Sequence, residues 1–163
     1  MTTTDLRLRA PANLVSRRAK TYWTVRAVAG WVVVGAVVVI ICLASSASTA
    51  VALVTVTGAL AVLHVIVMPR WRYRVHRWET TGTAVYTQSG WINQERRIAP
   101  VARIQTVDTQ RGPFEQIFGL SNITVTTASA AGPLKIHGLD REVADALVED
   151  LTARAQLAGG DGT

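Results

Sequence analysis

The chain has 163 residues, a formal net charge of +6 and 49% hydrophobic residues. Both properties are unevenly distributed. Residues 27–68 contain no Lys, Arg, Asp or Glu. Residues 1–80 contain ten of the 17 basic residues and two of the 11 acidic residues. Residues 81–163 carry seven basic and nine acidic residues, so this half lacks the basic face of a nucleic-acid-binding domain. Cys42 is the single cysteine, which excludes an intrachain disulfide and a cysteine-based metal site.

Residues 1–26 are predicted to form a basic N-terminal cytoplasmic segment with a short helix. Asn13 or Ser16 is a suitable N-cap, because a side-chain oxygen there accepts a hydrogen bond from a free backbone N–H. The basic residues after the cap are expected at the depth of the lipid headgroups.

Two apolar runs, residues 27–43 and 50–68, predict a transmembrane hairpin over residues 27–68. Each run is close to the ~20 residues that a helix needs to cross a bilayer, and the short linker makes the two helices antiparallel neighbours. Lys and Arg favour the cytoplasmic side, and both outer flanks are basic while the linker is uncharged. We therefore expect a multi-pass protein of the bacterial inner membrane, with both termini cytoplasmic and residues 45–49 outside. Cleavage as a signal peptide is the less favoured alternative.

His64 is the notable ionisable side chain within the two runs. Such residues are candidates for function, but neither run supplies a second His, Asp or Glu for a proton relay. A hydrogen bond between the helices is the favoured interpretation.

The stretch RWRYRVHRWET, residues 70–80, alternates arginines with aromatic residues. Trp71, Tyr73 and Val75 recur at a period of two, which predicts the first strand of a sheet domain leaving the membrane directly. Its arginines serve as cytoplasmic anchors and its aromatic rings as an interfacial belt. The candidate residues for membrane-surface or lipid contact are Arg17, Arg18, Lys20, Arg70, Arg72, Arg74 and Arg77.

Five further strands are predicted after this stretch, in TAVYTQ, WINQERRIA, RIQTVDTQ, NITVTTA and LKIHGL. Gly90 supplies the turn between the first two of these. GPFEQIFGL predicts one short helical turn whose Phe114, Ile117 and Phe118 pack inward.

The last element is predicted to be an amphipathic helix capped by Asp140. Val143, Leu147, Leu151 and Ala155 recur at a spacing of four, which gives one apolar stripe to cover the sheet. Residues 157–163 are predicted to be a disordered tail. The fold class is therefore a membrane α-hairpin plus an α+β soluble domain, residues 70–156, built as a small β-sandwich or open barrel with one C-terminal helix.

The order of RIQTVDTQRGPFEQIFGL, NITVTTA and IHGLD behind two spans resembles the bacterial PH-like membrane proteins of the YdbS type. The resemblance covers roughly residues 14–155 and implies a pleckstrin-homology-like fold, a bent antiparallel seven-stranded sheet with a C-terminal helix. The segment YRVHRWETTGTAVY departs from the family pattern near the first hairpin. The matching residues that we consider a possible partner groove are Arg103, Gln105, Gly112, Pro113, Phe118 and Gly119.

No catalytic motif is present in the sequence: G-x-S-x-G, the Walker loop, H-E-x-x-H and C-x-x-C are all missing. We therefore expect no enzyme, no cofactor, no metal site and no nucleic-acid partner. The favoured function is a membrane-anchored interaction or scaffold protein that self-associates or binds another membrane protein. The alternatives are a module that binds anionic lipid headgroups and a subunit of a small transport or channel assembly.

Overall fold

The computed structural model describes residues 10–91, 93–128 and 132–160. One short strand precedes two long helices, and the rest of a sheet domain follows them. The helices are α1 (Arg17–Leu43), α2 (Ala47–Val75), α3 (Pro113–Ile117) and α4 (Arg141–Gly160). The strands are β1 (Asn13–Leu14), β2 (Arg77–Thr80), β3 (Ala84–Gly90), β4 (Gln94–Pro100), β5 (Ile104–Gln110), β6 (Leu120–Thr127) and β7 (Leu134–Asp140).

Helices α1 and α2 form an antiparallel hairpin, and both are long and apolar enough to cross a membrane. At 1.5 Å per residue each is about 40 Å long, so the predicted spans of residues 27–43 and 50–68 lie inside longer helices. Ser16 caps α1 by accepting a hydrogen bond from the Arg18 N–H. Most Val, Ile and Leu side chains of the hairpin face outward, as expected for helices that are solvated by lipid.

The prediction of a strand at residues 71–75 is wrong, because α2 continues through Pro69 to Val75. The first strand after the hairpin is β2, which follows His76 directly. Each N–H added to an existing helix already has an acceptor four residues earlier, so propagation is cheap once the apolar run has formed the helix.

The strands form two antiparallel sheets, β1-β2-β3-β4 and β5-β6-β7, in the open arrangement of a PH-like domain. Val85 of the first sheet and Ile123 and Val125 of the second are fully buried between them. Helix α4 closes this core through Ala144, Leu147 and Leu151. The predicted stripe is therefore correct at its centre, whereas Val143 is 40% exposed. The helix runs to Gly160, so the predicted tail is helical over residues 157–160, and residues 161–163 lie outside the described ranges.

The segment before the first span is part of the sheet domain. Strand β1 pairs with β2, and the Ser16 N–H donates to the Gly138 carbonyl of β7 at 2.9 Å. A second core cluster then joins the first turns of α1 to β6 through Val15, Ala19, Tyr22, Trp23 and Leu120. The seventh strand, which reasoning from the residues alone did not place, is therefore β1.

Helix α3 is present at the predicted turn, but its side chains are oriented differently from the prediction. Phe114 and Ile117 are 61% and 77% exposed, so their predicted inward packing is wrong. Phe118 does pack inward, with its ring 5.8 Å from that of Tyr22. Phe118 is the C-cap residue beyond α3, so its side chain is directed differently from those of Phe114 and Ile117 on the helix itself.

Candidate functional site

A cleft lies where the open end of the helical hairpin, formed by the start of α1 and the end of α2, meets the turn between β3 and β4. Its larger part has a volume of about 930 Å³ and lies between α1, α2 and Trp91. A smaller part of about 460 Å³ continues towards the sheet domain. His64, Met68, Arg72 and Trp91 line both parts, so we treat them as one site, the hairpin cleft.

Helical periodicity places the lining residues on facing surfaces. Trp23, Ala27 and Gly30 of α1 recur at spacings of four and three, and so do Leu60, His64 and Val67 of α2. Residues at these spacings share one face of a helix. The helices therefore supply an apolar floor over residues 27–34 and 60–68.

The turn between β3 and β4 closes one side of the cleft with Trp91. Gly90 makes this turn possible, because its φ is +122° and a Cβ there would lie 1.9 Å from the Asn93 carbonyl oxygen. The Trp71 indole N–H donates to the Trp91 carbonyl at 2.8 Å. The tip of the sheet domain is thus fixed to the end of α2.

Two arginine side chains, Arg26 and Arg72, line the cleft. The Arg72 guanidinium lies over the Trp23 ring, 4.6 Å from its centroid, and Arg26 donates to the Tyr22 hydroxyl at 3.0 Å. Within the described part of the chain, no Asp or Glu forms an ion pair with either arginine. Both cations therefore keep most of their capacity to bind an anion.

His64 links the two long helices. The Trp31 indole N–H donates to His64 Nδ1 at 2.9 Å, which confirms the predicted hydrogen bond between helices. An indole N–H is a donor only, so the His64 ring is the tautomer with its proton on Nε2. The ring also packs edge-on against Trp91, with centroids 6.0 Å apart.

His76 and His137 line the inner part of the cleft. Burial, and then the positive charge of Arg72, lower the pKa of His76 from 6.5 to about 4. Burial is also the main reason that the pKa of His137 is lowered. Both rings are therefore neutral at neutral pH. Among residues 10–91, 93–128 and 132–160, no three His, Cys, Asp or Glu side chains are grouped to hold a metal ion.

The basic residues predicted to contact the membrane surface lie in different environments in the structure. Arg72 enters the cleft, and Arg77 is half-buried, with its guanidinium directed at the Pro11 and Arg74 carbonyls. Arg18 lies 3.9 Å from Asp140. The exposed remainder is Arg17, Lys20, Arg70 and Arg74.

The residues proposed for a partner groove lie at opposite ends of β5. Gly112 and Pro113 start α3, and Phe118 and Gly119 end it beside α1. Arg103 and Gln105 are exposed at the start of β5, which its length puts about 20 Å away. Four of the six residues therefore surround α3, and two do not.

Arg26, Trp23 and Trp91 are cleft residues that the sequence reasoning missed. Arg26 directly precedes the first apolar run and Arg72 follows the second. An antiparallel hairpin brings such flanks to the same end, so their pairing was a usable signal. Trp91 carried no comparable signal, because its position depends on how the sheet domain docks.

Residues 24–155 match the family described as Bacterial PH domain. The chain is also 30% identical over 101 residues to the UPF0699 transmembrane protein YdbS of Bacillus subtilis (strain 168). That alignment covers 62% of each of the two proteins, so it spans less than two thirds of the relative's length. No solved structure matches the chain.

Proposed function

The chain belongs to the bacterial PH domain family, and we propose that it is a non-enzymatic interaction module anchored at the cytoplasmic face of the bacterial cell membrane. Its two long apolar helices and its PH-like domain make it a membrane-associated PH-domain protein. The proposed partner is a second copy of the chain or another membrane protein.

The attachment of the sheet domain to the hairpin carries this proposal. Strand β1 precedes α1 and pairs with β2, which follows α2, so residues on both sides of the hairpin belong to one sheet. This supports a hairpin whose two flanks lie on the same side of the membrane. The basic flanks then favour the cytoplasm for both termini.

A rigidly held domain presents its surface to the membrane in one orientation. Trp23 and Tyr22 are buried against the domain, and the Trp71 indole fixes the tip of the β3–β4 turn. Such positioning raises the effective concentration of a recognition surface near membrane partners.

Helix α3 is the surface that we propose for the partner. Phe114 and Ile117 are exposed and, three residues apart, lie on one face of the helix. Glu115 holds the helix in place by accepting hydrogen bonds from the Gly112 N–H and the Asn122 amide. An apolar pair on an immobilised helix is suited to binding with little loss of conformational entropy.

Cysteine crosslinking in native membranes tests this proposal. Gln116→Cys, in a Cys42→Ser background, places a thiol on the exposed side of α3 and is expected to yield a defined adduct, whose mass distinguishes a homodimer from a hetero-complex. Replacing Phe114 and Ile117 by Ser should abolish the adduct, whereas Ile98→Ser, at an exposed apolar position of β4, should not. The absence of any adduct, or an adduct that survives the α3 substitutions, would contradict the proposal.

Recognition of an anionic lipid is a second candidate function. The specific observation that favours it is the pair Arg26 and Arg72, which face the cleft with no carboxylate paired to them in the described ranges.

A further inference from the structure

We propose that the hairpin cleft is a binding site for one anionic phospholipid. Its phosphate would lie between Arg26 and Arg72, and an acyl chain would lie between α1 and α2. This inference develops the second candidate function, and it does not depend on the protein partner proposed for α3.

The arginines define an anion site by their geometry. Arg72 is held over the Trp23 ring and Arg26 is held by the adjacent Tyr22, so neighbouring residues of α1 position both cations. Coulombic repulsion acts between the two guanidinium groups. A phosphate placed between them would relieve this repulsion, and its oxygens would accept paired hydrogen bonds from the N–H groups of each guanidinium.

The rest of the lining disfavours a zwitterionic headgroup. Among the described residues, neither part of the cleft is lined by an Asp or Glu that could bind choline or ethanolamine. His76 and His137 have lowered pKa values because they are buried and are neutral polar groups beside the anion site. The selectivity expected from this lining is for net negative charge.

The apolar floor indicates that the anion arrives on a lipid. Gly30, Val34, Leu60 and Leu63 belong to the hydrophobic runs of the hairpin and line the same cavity as the arginines. The cavity volume of about 930 Å³ falls in the usual range of ligand sites, roughly 300–1,000 Å³. Trp31 and Trp91 lie where the charged and apolar parts meet, as tryptophans do at membrane interfaces.

Native mass spectrometry of the full-length protein in neutral detergent measures this binding directly. The protein would be titrated with phosphatidylglycerol, phosphatidylcholine and inorganic phosphate. We expect one retained phosphatidylglycerol per chain, with at least about tenfold weaker binding of phosphatidylcholine. Both lipids carry the same phosphodiester, but the choline cation of phosphatidylcholine would be repelled by Arg26 and Arg72. Inorganic phosphate should compete weakly, because it gains nothing from the apolar floor.

Two double variants, one in the cleft and one matched control outside it, locate the anion site. The double variant Arg26→Gln/Arg72→Gln should weaken phosphatidylglycerol binding at least about tenfold. Arg70→Gln/Arg74→Gln removes the same charge from exposed positions outside the cleft and should leave binding unchanged.

Gly30→Leu tests the position of the acyl chain. A Cβ at Gly30 or at Gly58 would meet no atom within 4 Å, but Gly30 lines the cleft and Gly58 does not. Gly30→Leu should therefore block the lipid, whereas Gly58→Leu should not. Thermal unfolding in the same detergent would verify that every variant is folded.

Three results would overturn the proposal. They are equal retention of both lipids, equal loss of binding in the two arginine double variants, and full competition by inorganic phosphate, which would identify a soluble phosphate as the ligand. None of them bears on crosslinking through α3, so the two proposals fail independently.

Discussion

Gly138→Ala tests how tightly the sheet domain is attached to the first long helix. Gly138 has a φ of +74°, and a Cβ there would lie 2.8 Å from the Cβ of Ala19. Its carbonyl accepts from the Ser16 N–H and its N–H donates to Asn122 Oδ1, both at 2.9 Å. A side chain at this position must therefore strain the backbone and displace α1.

The expected destabilisation has two parts. A left-handed backbone costs a residue other than glycine about 1–2 kcal/mol, and overpacking costs about 1–3 kcal/mol. Gly138→Ala should lose about 3 kcal/mol in total, which corresponds to a fall in Tm of about 6–12 °C for a chain of this length.

Ala19→Gly separates the two parts. Alone it should cost about 1 kcal/mol as a helix glycine. Together with Gly138→Ala it removes the steric clash but not the backbone strain, so the double variant should lose about 2.5 kcal/mol in place of the additive ~4 kcal/mol. Thermal unfolding in detergent, followed by tryptophan fluorescence, measures all three variants. Additive losses would show that Ala19 and Gly138 do not meet, and would refute the docking described here.

Three further predictions concern the hairpin and its histidines. Since burial and a nearby arginine lower the pKa of His76 from 6.5 to about 4, the unfolded chain takes up a proton first as the pH falls, and stability should drop by up to about 3 kcal/mol between those values. His76→Asn keeps an N–H donor for the Arg72 carbonyl, which lies 2.8 Å from His76 Nδ1, and should lose much of this pH dependence of Tm; an unchanged dependence would assign it to other groups. Trp31→Phe removes the donor to His64 and should cost about 1 kcal/mol in thermal unfolding, whereas an unaltered Tm would mean that the bond is not formed. In a cysteine-free background, an impermeant maleimide should label Ser48→Cys on intact cells but label Gln116→Cys only after permeabilisation, and the reverse pattern would contradict the proposed topology.

The sequence was sufficient for those elements whose periodicity is local. Two uncharged runs predict the hairpin, and alternation over β6 predicts which side of the strand is buried, as Ile123 and Val125 confirm. The resemblance to the YdbS type supplied the PH-like arrangement of these elements, which periodicity alone left as a sandwich or a barrel.

Residues 71–75 show where local patterns fail. Trp71, Tyr73 and Val75 alternate as a strand does, yet the helix of the preceding apolar run continues through them. As part of the last turns of α2, Arg72 faces the cleft and Val75 is buried. The sequence contains both patterns, and the existing helix decides between them.

The hairpin cleft could be predicted only in part, because it depends on contacts between distant segments. Arg26 and Arg72 could be placed together from the antiparallel hairpin alone. Trp91 reaches His64 only because β1 and the first turns of α1 fix the orientation of the whole domain. That docking depends on buried contacts such as that of Ala19 with Gly138, and no sequence motif indicates these contacts.

The pairing of β1 with β2 has a consequence for biosynthesis. The ribosome delivers β1 before either long helix, and its partner strand emerges only after both helices have been made. The sheet can therefore be completed only in chains whose N-terminal segment stays on the side where the rest of the domain is synthesised. A chain inserted with its flanks on opposite sides would leave Leu120 without its cover of Val15 and Tyr22. Completion of the sheet therefore depends on insertion of the hairpin with both of its flanks on one side.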